Sequence, residues 1–238
     1  MLGKWEAIVF DLDDTLYLER DFVMSGFHAV AKWSEQFLSI PEEVTFKELK
    51  SLFNQGIRGN IFNLLLESHD LLADEVVEKM ISVYREHNPS ISPFPDVKGV
   101  LIELKKYYFL GIISDGYLEV QERKLNALGI EDFFDAVIFT DEWGKEAWKP
   151  NKKSFELISC KFNVSPSQCI YVADNPEKDF FGAKKIGMYT IRVVRQGGLY
   201  STCLAPTTEH EPDLTINSLK ELLNIGFIVS SKTKKPKE

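Results

Sequence analysis

The chain has little of what builds crosslinks or metal–thiolate sites. Its 238 residues include three cysteines, Cys160, Cys169 and Cys203, far apart and with neither a CxxC pair nor a Cys/His cluster. That spacing argues against a disulfide framework and a structural zinc site. The four histidines, His28, His69, His87 and His210, show no ligand spacing either. No uncharged apolar run reaches the roughly 18 residues that a membrane-spanning helix requires. The N-terminal run before Asp11 is too short for the apolar core of a secretory signal. The expectation is a reduced, cytoplasmic protein. Basic charge is also scarce: 28 Lys and Arg stand against 36 Asp and Glu, a net charge of −8. That balance argues against nucleic acid and anionic membrane as partners. Internal repeats and low-complexity segments are absent.

What is present is ordinary globular composition, 44% hydrophobic and 27% charged, enough to bury a substantial core. Ala7-Ile-Val-Phe10 is a short branched apolar run that stops at Asp11, which predicts a buried strand. From Phe22 to Asn88 the spacing becomes helical, with Phe22, Phe27, Val30, Trp33 and Phe37 on one stripe. Pro41-Glu42-Glu43 opens another helix, Gly56 and Gly59 break the pattern, and a last helix spans Asp74 to Glu86. Pro89, Pro93 and Pro95 then mark a linker.

Beyond the linker helices and strands alternate. Helices are predicted at Val97–Tyr108, Glu119–Leu128, Asn151–Phe162 and Asp179–Ile186. Strands are predicted at Phe109–Ser114, Ala136–Thr140, Cys169–Asp174, Tyr189–Val193 and, sixth, Asp213–Ile216. Such alternation implies βαβ units and a mostly parallel sheet. The predicted fold class is α/β: a Rossmann-like, three-layer parallel-sheet core, residues 1–18 and 92–227, with an inserted α-helical cap subdomain, 19–91. Residues 228–238, with Lys232, Lys234, Lys235 and Lys237 against one Glu, read as a solvated basic tail.

In open parallel sheets, ligands bind beyond the carboxyl ends of the strands. The predicted strands end in Asp11, Asp13 and Thr15, in Ser114-Asp115-Gly116, before Lys149-Pro150, and in Asp174 with Asp179 following. Acids converging on one crevice need a compensating charge. Magnesium suits them, because it takes hard oxygen ligands and shares its shell with phosphate. Lys149 and the Ser114 hydroxyl can hold further phosphate oxygens, and such electrostatic positioning dominates phosphoryl transfer. Residues two apart in an extended strand face the same way. One of Asp11 and Asp13 can therefore attack phosphorus while the other handles the proton of the leaving group and of water. Asp14 should then point away from the site.

These motifs resemble those of the haloacid dehalogenase superfamily, and within it the phosphatases with a helical cap. DLDDTL at 11–16, SDG at 114–116, Lys149 in WKP and ADNPEKD at 173–179 are similar to its four motifs in order and separation, and the likeness covers about residues 5–225. DLDDTLY and the run ADNPEKDFFGAKKIGM are most similar to acylneuraminate-9-phosphatases and pyrimidine nucleotidases. The resemblance implies a magnesium-dependent phosphomonoester hydrolase. Asp11 would be nucleophile and metal ligand, and Asp13 acid/base with its carbonyl on the metal. Asp174 would be a metal ligand. Asp179 would coordinate the metal, orient its waters or hold Lys149. Thr15, Ser114, Asp115 and Lys149 would hold the phosphoryl group, with Asp115 acting through its backbone N–H. Asp115 stands where many relatives carry Asn, and Ala173 where Gly is common; neither change removes a ligand. Asp13 argues against dehalogenation, which dispenses with that carboxylate.

A cap of this size favours a small phosphorylated metabolite, such as a sugar phosphate or nucleoside monophosphate. A sugar phosphomutase of the same superfamily and an idle phosphate-binding module remain as alternatives. A phospho-receiver domain is about half this long, and its acceptor Asp ends a later strand. Monomer and dimer both stay open. Arg58, in the polar turn Asn54–Asn60, is a candidate for a substrate anion. Trp143 and Trp148 flank Lys149 and could cover the entrance or simply pack. Arg192, Arg195, Gly197 and Gly198 read most simply as a flexible basic loop. Asp179 also has a plain structural reading, since helix starts favour carboxylates.

Overall fold

A computed structural model describes residues 5–225; the expected tail and the end of the expected core at 226–227 lie outside them. The chain divides into two compact units, Met1–Glu19 with Ser92–Glu238, and Arg20–Ile91. The first carries a six-stranded sheet in the order β3-β2-β1-β4-β5-β6. Its strands are β1 (Ala7–Phe10), β2 (Phe109–Ser114), β3 (Ala136–Phe139), β4 (Cys169–Ala173), β5 (Tyr189–Val193) and β6 (Leu214–Ile216), and every pairing is parallel. Ala7 stands in register with both Phe109 and Cys169, so β1 lies between β2 and β4. The order runs outward from β1 in one direction and from β4 in the other, which makes the gap between their carboxyl ends the switch point where such sheets bind ligands.

Alternation across the pleat divides the core. Ala7, Val9, Tyr171 and Ala173 face α7 (Lys153–Phe162) and α8 (Asp179–Lys185), whose Phe155, Ile158, Phe162, Phe180 and Ala183 complete one buried cluster. Ile8 and Phe10 are fully buried on the opposite face, where right-handed crossovers put α5 (Val97–Leu104) and α6 (Leu118–Leu128). The α/β, Rossmann-like three-layer architecture expected from the alternation is thus present.

Two helix ends differ from expectation for local reasons. α5 stops at Leu104 instead of Tyr108, because Phe109 must already donate to Glu6 O at 2.9 Å as the sheet resumes. α7 starts at Lys153 instead of Asn151, because the Asn151 side chain accepts from the Lys153 amide at 2.9 Å and so sits before the first turn.

The second unit contains α2 (Glu42–Asn54), α3 (Ile61–Ser68), α4 (Asp74–Glu86) and nearly all of α1 (Glu19–Leu38). Its interior is aromatic: Phe27 meets Phe53, Phe62 and Tyr84 at ring-centroid distances of 6.0, 6.5 and 6.0 Å. Gly26 permits this, since a Cβ there would lie 2.5 Å from the Tyr84 ring. Among the described residues no helix is long and apolar enough to cross a membrane.

Gly182 of α8 fixes the loop that carries Lys149. A Cβ on it would overlap the Pro150 carbonyl oxygen and approach Phe155 Cε2 to 2.9 Å. Gly182→Ala should therefore lower unfolding stability by about 1–3 kcal/mol in denaturant titration, despite the better helix propensity of alanine. An unchanged or higher midpoint would contradict this packing.

Candidate active site

β1 delivers Asp11 to the switch point, and the Asp11 amide donates to Val172 O at 2.9 Å, continuing the β1–β4 ladder into the loop. The chain then turns through Asp14 at φ +49°. As expected, the Asp14 carboxylate turns away from those of its neighbours and accepts from the amides of Glu19 (2.8 Å) and Leu199 (2.6 Å). A cleft of about 420 Å³ opens here, and Asp11, Asp13, Asp115, Lys149 and Asp174 all line it. Four separate loops thus bring their predicted residues together.

Lys149 is the hub. Its Nζ, fully buried, lies 2.5 Å from Asp11 Oδ1, 2.7 Å from Asp179 Oδ1 and 3.0 Å from the Tyr171 hydroxyl. Tyr171 is a strand residue whose part in the site no motif announced. The Lys149–Pro150 peptide is cis, and the Lys149 amide donates to Asp115 Oδ1 at 3.1 Å. Asp115 also accepts from Thr140 Oγ1 and, at 3.2 Å, from Lys178 Nζ. Its carboxylate is thereby occupied in fixing the lysine loops. Asp179 starts α8 and accepts from the Asn175 amide at 3.0 Å as well as from Lys149. Asp179 thus both opens α8 and holds Lys149.

Thr15 and Ser114 are buried beside the cleft and do not line it. The Thr15 hydroxyl has no hydrogen-bond partner among the described residues, and Ser114 Oγ donates to Gln121 at 3.2 Å. Trp148 lines the cleft, with its indole N–H on Asp141 at 3.1 Å. Trp143 packs against the α7–α8 core instead. Arg58 belongs to the second unit, where its guanidinium stacks over Phe53 at 3.7 Å and donates to Phe53 O and Ile57 O. The loop after β5 is tied down, contrary to its flexible reading. Arg192 donates to Asp174 O and Tyr200 O, and buried Arg195 donates to Thr15 O and pairs with Asp96. Sequence reading could not see these ties because their acceptors are mostly backbone carbonyls. It also missed Lys124, Gln121 and Lys178 at the cleft.

The family described as haloacid dehalogenase-like hydrolase matches residues 8–193. The chain belongs to the haloacid dehalogenase-like hydrolases. It is 31% identical over 228 residues to a glyceraldehyde 3-phosphate phosphatase of Methanopyrus kandleri, covering 92% of this chain and 96% of that one. It is 25% identical to the pyrimidine 5′-nucleotidase of Escherichia coli, over 92% and 96% of the two chains. A solved haloacid dehalogenase-type phosphatase from Thermococcus onnurineus superposes with a TM-score of 0.62 at 25% identity, covering 97% of this chain and all of that one.

The charges of this hydrolase are unevenly compensated. Burial raises the Asp11 carboxyl from 3.8 to about 6, with Lys149 opposing and Asp179 adding to the rise. Lys149 itself, despite burial, is held well above the ordinary lysine range by Asp11 and Asp179, and so stays charged. Burial would also raise Asp13 and Asp115, but Lys124, Tyr17 and Lys178 together outweigh it at Asp13, and Lys149, Lys178 and Thr140 together at Asp115, so both lie below the usual carboxylate range. Asp174 behaves like Asp11. Burial, Asp179 and Asp11 push it well above that range. Asp11, Asp174 and Asp179 each offer an oxygen within 4.8 Å of the others, all three buried. Excess negative charge on a compact, all-oxygen set is what a small divalent cation relieves, so these residues fit magnesium.

A carboxyl that holds its proton more tightly when folded makes stability fall as the pH rises, because the unfolded chain ionises first. For Asp11 that window runs from 3.8 to about 6. Without divalent cations, stability should therefore decline across this range. Asp174→Asn should raise the cation-free unfolding free energy at neutral pH by on the order of 1–2 kcal/mol. Magnesium should stabilise the parent and leave the variant unmoved. A cation-free variant less stable than the parent would refute this account.

Proposed function

We propose that the protein is a magnesium-dependent phosphomonoester hydrolase that works through an aspartyl-phosphate on a small phosphorylated metabolite. The observation that carries the reading is the pairing of Asp11 and Asp13 in one cleft, with Lys149 on the first and Lys124 on the second. Two carboxylates held by different cations can do different work, one as nucleophile and the other as acid and base. The named activities of the relatives support a phosphoryl substrate. Glyceraldehyde 3-phosphate phosphatases among them favour a short sugar phosphate, and the nucleotidase keeps nucleoside monophosphates in view. We read the inserted helical unit, 19–91, as a cap over small substrates, with Arg58 a candidate anion contact there, and the setting as cytoplasmic.

In this reading Lys149 and the backbone N–H of Asp115 seat the phosphoryl oxygens, with Thr15 and Ser114 shaping the loops behind them. Asp11 attacks phosphorus and the P–O bond to the leaving group breaks, while Asp13, ionised beside Lys124 until it takes up a proton ahead of this step, gives that proton to the departing oxygen. Asp13 then takes a proton from water, whose oxygen attacks the aspartyl-phosphate and frees phosphate and Asp11. Asp11, Asp174, Asp179 and the Asp13 carbonyl would hold magnesium, which offsets charge on the transferring group.

The test is phosphate release with magnesium across sugar phosphates, nucleotides and nitrophenyl phosphate, with Asp11→Asn in parallel. The expected result is magnesium-dependent release by the parent and a loss of about 10³-fold or more in the variant, with its fold retained. Substantial turnover by the variant would overturn the nucleophile assignment, and no release from any ester would overturn the phosphatase reading.

A further inference from the structure

α6 buries four side chains, and two of them are polar: Gln121 and Lys124 accompany Leu125 and Leu128. A lysine on a helix usually extends its ammonium to water even where its stem is covered. Lys124 does not, being 4% exposed. A buried ammonium is strongly unfavourable unless paired with good geometry, and here Asp13 pairs with it. Lys124 Nζ lies 2.7 and 3.0 Å from the two oxygens of Asp13. The hydroxyl of buried Tyr17 donates to the same Asp13 Oδ1. Two donors of separate origin leave that carboxylate a single orientation. The lysines therefore divide the acids, Lys149 on Asp11 and Asp179, and Lys124 on Asp13. Gln121, one turn earlier on the same face of α6, takes the Ser114 hydroxyl.

We propose that Lys124 is a positioning residue, holding the Asp13 carboxylate in the cleft where it delivers a proton to the leaving group. The inference rests on the acid/base reading of Asp13 above. Its signature depends on the leaving group. An alkoxide leaves poorly and needs the proton, whereas nitrophenolate leaves without one, so a misplaced Asp13 is felt mainly on alkyl esters.

The experiment compares kcat/KM of the full chain on nitrophenyl phosphate and on the alkyl phosphate the parent turns over fastest. The variants are Lys124→Met, Lys124→Arg and Asp13→Asn. Taking the ratio of the two substrates on one preparation cancels any difference in folded fraction. Lys124→Met should lose at least roughly 10-fold more on the alkyl ester than on the nitrophenyl ester, part of the ~10²-fold or more that acid catalysis supplies, and Lys124→Arg should recover much of it. Equal losses on both esters, or none, while Asp13→Asn shows the split, would overturn the role of Lys124. Absence of the split in Asp13→Asn would overturn the acid/base assignment itself, and this inference with it.

Discussion

The site is organised by one buried ammonium. Lys149 Nζ contacts Asp11, Asp179 and Tyr171 at once, so residues from β1, β4 and α8 share a single cation shielded from solvent. An unpaired charge at that depth would be prohibitive, and each partner depends on the others remaining. The surrounding backbone is fitted to it: the Asp115 carboxylate receives the Lys149 amide, and Gly182 lets α8 approach the Pro150 carbonyl. The parallel sheet supplies this convergence directly, because β1 and β4 are neighbours in register and end at the same level.

A second pair does for the turn after β1 what Lys149 does for the acids. Arg195 pairs with Asp96 and donates twice to the Thr15 carbonyl, while Asp96 accepts from Ser218 and the Leu219 amide. Asp14 adds the Leu199 amide from the same stretch of chain. The loop after β5 thus braces the turn that carries Asp11, Asp13 and Thr15, and its charges are structural although they lie near a site rich in functional ones.

Much of this was legible in the sequence, for physical reasons. Buried parallel strands are unbroken apolar runs, and a lone carboxylate after one is ordinary turn chemistry; Asp11 and Asp174 stood out because Asp13, Thr15, Ser114 and Lys149 accompany them in one order, and the two line the cleft together. Positions that pair with distant partners were not legible. Lys124 and Gln121 sit in LEVQERKLNAL, where helical periodicity cannot separate a polar residue turned inward from one facing solvent. Tyr171 looks like any aromatic in a strand. Arg195 looked like part of a loose basic loop, because nothing local announces a carbonyl 180 residues away. Thr15 and Ser114 illustrate the reverse limit: motif spacing located their loops, while burial keeps their side chains out of the cleft lining.

The residues that break ordinary burial rules make a coherent set. Lys149, Asp11, Asp179, Asp174, Asp115 and Lys124 are ionisable and buried at the cleft, as Asp14, Asp96 and Arg195 are in the brace beside it, a pattern natural sequences tolerate where function requires it. Within that set compensation is complete for Asp115, as it is for the neighbouring Asp13, and both lie below the carboxylate range; it is incomplete for Asp11 and Asp174, which lie above it. Asp11 and Asp174 belong to the one cluster with metal-ligand spacing among the described residues, whereas Asp14 and Glu19, also raised, lie outside it. The compensated Asp13 is the carboxylate assigned to move protons. Lysines therefore hold Asp13 and Asp115 in place, while Asp11 and Asp174 keep uncompensated negative charge at the cluster whose spacing suits a cation.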